Sequence, residues 1–118
     1  LHNQINNLQR LNNVEYPRYN IIEDGDKYTL EMALPGWKKE DIHIDHSTQD
    51  KVLLIVGNQA KDERKFVHRG ISGKSFKRDF KVGEHIKVVS AKMEDGLLTI
   101  ELETEIPEEL QPRVIEID

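Results

Sequence analysis

Five histidines and a neighbouring carboxylate are the residues of this chain whose chemistry could hold a metal ion or move a proton. The histidines are His2, His43, His46, His68 and His85. In the tightest group, a strand would place His43 and Asp45 on one face and His46 on the other. Because the ligands of a metal must converge on one point, this spacing predicts no metal site.

Catalytic motifs are also missing. His68 lies in a charged loop where no motif places a nucleophile, and the sequence contains no GxSxG, no HExxH and no glycine-rich phosphate loop. The absence of cysteine excludes a disulfide framework and a cysteine nucleophile, and it is typical of a reducing cytosol. We therefore predict a cytoplasmic protein that is not an enzyme and needs no cofactor.

One charged side chain breaks the pattern of its strand. Counting by two from Phe76 gives Arg78, Phe80 and Val82, which predicts the guanidinium on the apolar face. A buried charge is costly unless it is paired. Two interpretations stay open: Arg78 reaches water at a sheet edge along its apolar stem, or it meets a carboxylate, for example one of another subunit, and helps to define an interface.

Two isoleucines stand at the end of the sequence, in RVIEID. An extended tail places Ile115 and Ile117 on the same side, about 7 Å apart, which suits two pockets beside a sheet edge. Burying both would give about 3 to 6 kcal/mol before the entropy of association is subtracted, so one tail should bind weakly and many should bind by avidity. The alternative is that both side chains pack on their own domain.

The elements that must position these residues are short strands. Residues 27–35, KYTLEMALP, alternate apolar and polar side chains before a turn at Pro35 and Gly36. Residues 51–57, KVLLIVG, predict a strand covered on both faces or nearly so. Asp95 and Gly96 predict a hairpin turn, and residues 58–74 form a long charged loop.

This order of strands and turns predicts an all-β fold, an immunoglobulin-like antiparallel sandwich of about seven strands over residues 16–105. Residues 106–118 are predicted to be an extended tail. Residues 1–15 form an arm whose apolar side chains share one face of a helix that forms only when it is covered. Those side chains are Leu1, Ile5, Leu8, Leu11 and Val14. A frayed arm is the alternative, and the initial Leu1 suggests that the sequence begins inside a longer chain.

Composition narrows the partners. The 118 residues include 17 Lys and Arg against 22 Asp and Glu, a net charge of -5 with no basic stripe. Nucleic acid is therefore excluded as a partner, because its phosphates require such a stripe. No apolar run approaches the roughly 20 residues that cross a bilayer, so no membrane span is predicted.

The combination of these features resembles the small heat shock proteins, which contain an α-crystallin domain. Ala91, Gly96, Leu97 and Leu98 resemble the A-x-x-x-x-G-x-L signature of that family. SFKRDF resembles the strand that carries the family's arginine, here Arg78, and IEI matches its I-x-I/V tail motif. The stretch HRGISGKSFKRDFKVGEHIKV and the ending PRVIEID are most similar to the bacterial inclusion-body-binding type, although Val82 and Gly83 replace a usual Leu-Pro.

The resemblance implies a chaperone without ATPase activity that holds unfolding client proteins and passes them to ATP-driven chaperones. Its building block would be a homodimer that exchanges a short strand of the long loop. That interface would contain Phe66, Val67, His68, Arg69, Gly70, Ile71 and Arg78. The tail isoleucines would dock on a neighbouring dimer and build larger homo-oligomers. Their groove would contain Ile42, Ile44, Val88, Ala91 and Met93.

Two other sandwich proteins remain as alternatives. A monomeric co-chaperone adaptor would bind one folded partner and should lack both the apolar tail motif and the strand-bearing loop, yet both are present. A carbohydrate-binding sandwich would expose aromatic side chains in its loops, and Trp37 is the one aromatic residue in an obvious turn.

Removing residues 1–15 should reduce protection of a heat-labile client, because the apolar face of the arm is expected to contact clients and other arms. The measurement is light scattering of the heated client with the whole chain and with a chain that starts at Tyr16. Equal protection by both would contradict this role for the arm.

Overall fold

The computed structural model describes residues 16–107 and 112–118. Seven strands account for most of the domain. They are β1 (Tyr19–Asp24), β2 (Lys27–Ala33), β3 (Ile42–Ser47), β4 (Val52–Gly57), β5 (Phe76–Lys81), β6 (Ile86–Glu94) and β7 (Leu97–Thr104). A 3-10 turn, Lys39–Asp41, precedes β3. Among the described residues, none belongs to a helix long and apolar enough to cross a membrane.

The strands form two antiparallel sheets. One has the order β1-β2-β7-β6 and the other the order β3-β4-β5. Their inner faces share a single apolar core, to which β2 contributes Leu30 and Met32 and β4 contributes Leu53 and Ile55. The predicted antiparallel sandwich of seven strands is confirmed. Because the sheets are open, β1 and β6 are edges of the larger sheet, and β3 and β5 are edges of the smaller one.

The alternation seen in the sequence explains which faces are buried. Leu30 and Met32 of β2, and Leu34 just after it, are all inaccessible to solvent or nearly so. In β4, Leu53 and Ile55 are buried, whereas Val52, Leu54 and Val56 are only half-buried. The prediction that this strand is covered on nearly both faces therefore holds fully for one face and in part for the other.

The predicted hairpin turn between β6 and β7 forms at Asp95 and Gly96, which have φ angles of 55° and 74°. Positive φ at both central residues is the geometry that matches the twist of antiparallel strands. The carbonyl of Gly96 accepts a hydrogen bond from the Leu34 amide at 2.8 Å. The turn is thereby tied to the end of β2, beside the site described below.

An aromatic cluster closes one end of the sandwich. The Phe76 ring packs edge-on against Trp37 at 5.3 Å and against Tyr16 at 6.0 Å, between ring centroids. Trp37 is only 8% exposed, and its Nε1 donates a hydrogen bond to the Tyr16 hydroxyl at 3.3 Å. The buried indole counts against the carbohydrate-binding alternative, which would need this aromatic side chain exposed, because the ring adds to the core and its N–H finds a partner.

The cluster depends on a glycine. Gly57, at the end of β4, lies directly beneath the Phe76 ring, and a Cβ atom there would overlap three ring carbons. Close approach of an aromatic ring to the backbone is one of the few roles that only glycine can fill within a strand. Because Trp37 packs on the same Phe76 ring, this contact also helps to position the chain segment before β3.

Replacing Gly57 by alanine should lower the free energy of unfolding by about 1 to 3 kcal/mol, because the added methyl group forces the Phe76 ring out of its position. Thermal or urea denaturation measures the loss. Gly83→Ala is the matched control, since its Cβ would meet only Ile86 Cγ1, at 4.0 Å. An equal loss in both variants would contradict the proposed role of Gly57.

Candidate functional site

An apolar groove lies where the two sheets fail to close on each other. Its lining comes from the edge strand β3, with Ile42 and Ile44, from the edge strand β6, with Ala91 and Met93, and from Leu98 of β7. The volume of the groove is about 350 Å³. Ile42, Ile44 and Met93 are half-buried and pack against the core. The groove is therefore an opening into the side of the hydrophobic core.

A β-bulge sets the inner face of β6. The register of β6 against β7 shifts between Val88 and Ser90, so that Val88 faces Leu102 and Ala91 faces Ile100. The extra residue, Val89, is half exposed on the outside. As a result Val88, Ala91 and Met93 share the inner face at spacings of three and two, which simple alternation in the sequence would not predict. Four of the five residues predicted for the groove line it, and Val88 packs further along the same face.

The four residues that resemble a family signature each have a structural reason. Ala91 has a small side chain, so the groove stays open beside it, and Leu98 is buried to 4% exposure and forms the floor. Gly96 adopts the positive φ of the hairpin turn, and Leu97 is half-buried at the first position of β7. The spacing of the signature thus places Ala91 in the wall of the groove, Gly96 in the hairpin turn and Leu98 in the floor.

Two lysines complete the lining and were not predicted. Lys39 lies in the 3-10 turn before β3, and Lys92 lies between Ala91 and Met93 on β6. Lys92 Nζ is 3.3 Å from Glu94 Oε2, and both side chains are largely exposed. In the sequence these lysines are ordinary surface charges, and only the meeting of β3 and β6 places both of them at one groove.

The tail isoleucines do not contact the core of their own domain. Ile115 is 78% exposed and Ile117 is 96% exposed, within the described residues 112–118. The alternative in which these side chains pack on their own sandwich is not what the structure shows. An open apolar groove and two exposed apolar side chains therefore occur in the same chain.

Arg78 lies on β5 with its side chain on the inner face, as the alternation predicts. Its neighbours at i-2 and i+2, Phe76 and Phe80, are 9% and 7% exposed, while Arg78 is half-buried. The guanidinium carbon lies 5.1 Å from the centroid of the Tyr19 ring and 5.9 Å from that of Phe80. Because Tyr19 belongs to β1, the arginine bridges the edge strands of the two sheets on the side opposite the groove.

The long loop, residues 58–75, contains no strand in this single chain. Phe66 lies between two guanidinium groups, with Arg64 at 5.3 Å and Arg69 at 4.6 Å from the ring centroid. Arg64 Nε donates to Asp62 Oδ1 at 2.9 Å, and this ion pair holds the pKa of the Asp62 carboxyl well below its usual range. Val67 is fully exposed and Ile71 is 68% exposed. The loop thus exposes the apolar side chains of Val67 and Ile71 to solvent instead of packing them on its own domain.

His43 and Asp45 share one face of β3, as their spacing along a strand predicts. His43 Nε2 and Asp45 Oδ2 are 3.0 Å apart on the outer face of β3, and His46 lies on the other face. Among residues 16–107 and 112–118 no cluster of three or more His, Cys, Asp or Glu side chains could hold a metal ion. The arm residues Leu1, Ile5, Leu8, Leu11 and Val14 lie outside the described residues.

Known proteins share this sequence and this fold. The model of the Hsp20/alpha crystallin family matches residues 20–118. The small heat shock protein IbpA of Yersinia pestis (strain Pestoides F) is 37% identical over 120 aligned residues, which cover 99% of this chain and 86% of that protein.

Two solved structures agree with these matches. The C-terminally truncated small heat shock protein AgsA of Salmonella typhimurium superimposes with a TM-score of 0.70 and is 34% identical, covering 87% of this chain and 100% of that one. The small heat shock protein of Synechococcus phage S-ShM2 superimposes with a TM-score of 0.65 and is 31% identical, with coverage of 87% and 100%. Both the sequence and the fold show that this chain belongs to the Hsp20/alpha crystallin family.

Proposed function

We propose that this chain is an ATP-independent chaperone that binds unfolding proteins, prevents their irreversible aggregation and assembles into dynamic homo-oligomers through its tail. The family and the relatives named above support the chaperone role. The single observation that carries the assembly mechanism is the apolar groove between β3 and β6 in a chain whose tail leaves Ile115 and Ile117 exposed.

In this mechanism the tail of one dimer occupies the groove of another. An extended tail carries Ile115 and Ile117 on one side, and the groove offers the apolar surfaces of Ile42, Ile44 and Met93. Edge strands β3 and β6 border the groove, so the tail can also add backbone hydrogen bonds as an extra strand. Ala91 leaves room for the larger tail side chains.

The contact between one tail and one groove is weak enough to open, which a chaperone of this kind requires. Two buried isoleucines give about 3 to 6 kcal/mol before the entropy of association is subtracted, which leaves a weak contact. Many tails in one assembly raise the overall stability by avidity while each contact still opens and closes. Opening exposes apolar grooves, and unfolding clients bind there and on the N-terminal arm.

The dimer forms through the long loop. Phe66, Val67 and Ile71 are exposed in the single chain, and the segment Phe66–Ile71 becomes a strand when it pairs with an edge strand of the second subunit. Edge strand β1 is the favoured acceptor because its last two residues, Glu23 and Asp24, and Asp26 in the turn after it are acidic, whereas the loop is rich in Lys and Arg.

Arg78 supports that dimer by holding the acceptor edge in place. Its guanidinium lies over Tyr19 of β1 and beside Phe80 of β5, so it connects the edge that would receive the partner's loop to the other sheet. We expect clients held in this way to pass to ATP-driven chaperones in the cytoplasm. The protein itself needs no nucleotide or other cofactor for holding.

Replacing both tail isoleucines by alanine should convert large oligomers into dimers, because the contact loses most of its apolar area. Size-exclusion chromatography with light scattering measures the size, and suppression of client aggregation on heating measures the function. Val114→Ala is the matched control, since Val114 is equally exposed in the same tail but alternates to the other side.

The proposal would be contradicted if the intact chain ran as a monomer and protected no client. That result would favour the monomeric adaptor. Oligomers of unchanged size in Ile115→Ala/Ile117→Ala would separate the chaperone role from the tail and contradict the assembly mechanism alone.

Replacing Arg78 by alanine should raise the dissociation constant of the dimer, by about fivefold or more, because the contacts that fix β1 against β5 are lost. Analytical ultracentrifugation in the Ile115→Ala/Ile117→Ala background isolates the dimer step. Lys77→Ala, on the exposed face of the same strand, is the control. An unchanged dissociation constant would contradict a role for Arg78 at the interface.

A further inference from the structure

We propose that the two lysines at the groove make it selective for an acidic tail, so that Glu116 and Asp118 of a second copy act with Ile115 and Ile117 as the recognised segment. This inference rests on the proposed docking of the tail and adds a charge requirement to it. The observation behind it is the lining of the groove, in which the charged side chains among the described residues are Lys39 and Lys92.

The tail carries the opposite charge. Residues 105–118, EIPEELQPRVIEID, contain five acidic side chains and one arginine, a formal charge of -4 in a chain whose net charge is -5. Two copies of such a chain repel each other, and the repulsion is concentrated in the segment that must approach its neighbour. A local pair of lysines at the docking site offsets that repulsion where it is greatest.

The alternation of the tail directs its charges to the rim. When Ile115 and Ile117 enter the groove, Glu116 and Asp118 lie on the other side of the extended backbone and point away from the floor. Only long side chains on the groove walls can reach them there. Lys39 stands before β3 on one wall and Lys92 stands on β6 in the other, so both have the length and flexibility to follow the bound tail.

Within the described residues, Lys92 is held by one weak contact. Lys92 Nζ is paired only with the exposed Glu94 of its own strand, at 3.3 Å among the contacts of the described residues, and such a surface pair is worth little. Exchanging that partner for a tail carboxylate therefore costs little. The apolar groove supplies affinity for any extended apolar segment, and the lysines favour the acidic tail over neutral or basic segments.

Two consequences follow for the assembly. Its stability should fall as salt rises, because exposed ion pairs are screened over a Debye length that shortens from about 20 Å to about 4 Å between 20 and 500 mM salt. Clients that reach the groove through apolar side chains alone should be less affected by salt. Ionic strength would thereby shift the groove from tails to clients.

The test is sedimentation velocity of the full chain at 20 and 500 mM NaCl, with charge reversals on each side of the contact. Glu116→Lys/Asp118→Lys should raise the concentration at which half of the oligomer dissociates, by about two- to fivefold for each reversed pair at low salt. Lys39→Glu/Lys92→Glu should do the same. The four substitutions together should restore assembly toward that of the unchanged chain.

Two further variants keep the outcome interpretable. Lys39→Gln/Lys92→Gln removes the positive charges and adds no negative charge beside Glu94. In this variant the stability of the oligomer should depend less on salt than in the unchanged chain. Ile115→Ala/Ile117→Ala tests the docking itself. Thermal unfolding of every variant shows whether each one remains folded.

The charge requirement is overturned if the reversals leave assembly unchanged while the isoleucine variant dissociates, since docking then holds without it. It is equally overturned if folded single-sided reversals weaken assembly and their combination restores nothing. Reversals that alter client protection without altering oligomer size would identify the occupant as a client segment and not the tail. An isoleucine variant that assembles normally would instead contradict the docking mechanism itself.

Discussion

The structure depends on one constraint: two open sheets of unequal width must share a single apolar core. A closed barrel would have no edges, but a four-stranded sheet packed on a three-stranded sheet has two open sides. On one side, Tyr19 and Phe80 pack edge-on at 5.0 Å and Arg78 covers them. On the other side, the small Ala91 leaves the core accessible. The same constraint that builds the domain therefore creates the groove that we propose as its binding site.

An exposed edge beside an apolar groove is a liability in most proteins, because it invites pairing with any extended chain. In a chaperone, the same exposed edge and groove can serve to bind other chains. A chaperone must bind apolar segments of many sequences, which requires a surface that is apolar and adaptable rather than shaped for one ligand. In the proposed mechanism the tail competes with clients for the groove, so the groove is covered in the assembly and free only when contacts open. Charges at the rim would bias that competition without occupying the apolar floor.

In the proposed assembly, the two open sides of the sandwich have different roles. Aromatic and arginine contacts join β1 to β5 at one edge, where we propose that the dimer partner binds. The groove between β3 and β6 is less completely packed, because Ile42, Ile44 and Met93 are only half-buried. The rigid end of the sandwich, built on Phe76 over Gly57 and on Trp37, holds the start of β3 in position. A stable frame and an adaptable groove can thus coexist in a domain of this size.

Local patterns in the sequence were sufficient for the strands, the Asp95 and Gly96 turn, the inward direction of Arg78 and the motifs that resemble the family. These features arise from spacing along one strand or one turn, which neighbouring residues decide by themselves. Three others were decided only by the tertiary structure. The bulge at Val89 resets which side chains of β6 face inward, the Trp37 ring is buried by partners from β5 and Tyr16, and Lys39 and Lys92 meet at one groove. Each of these depends on contacts between residues far apart in the chain, whose energies are settled only when the two sheets pack.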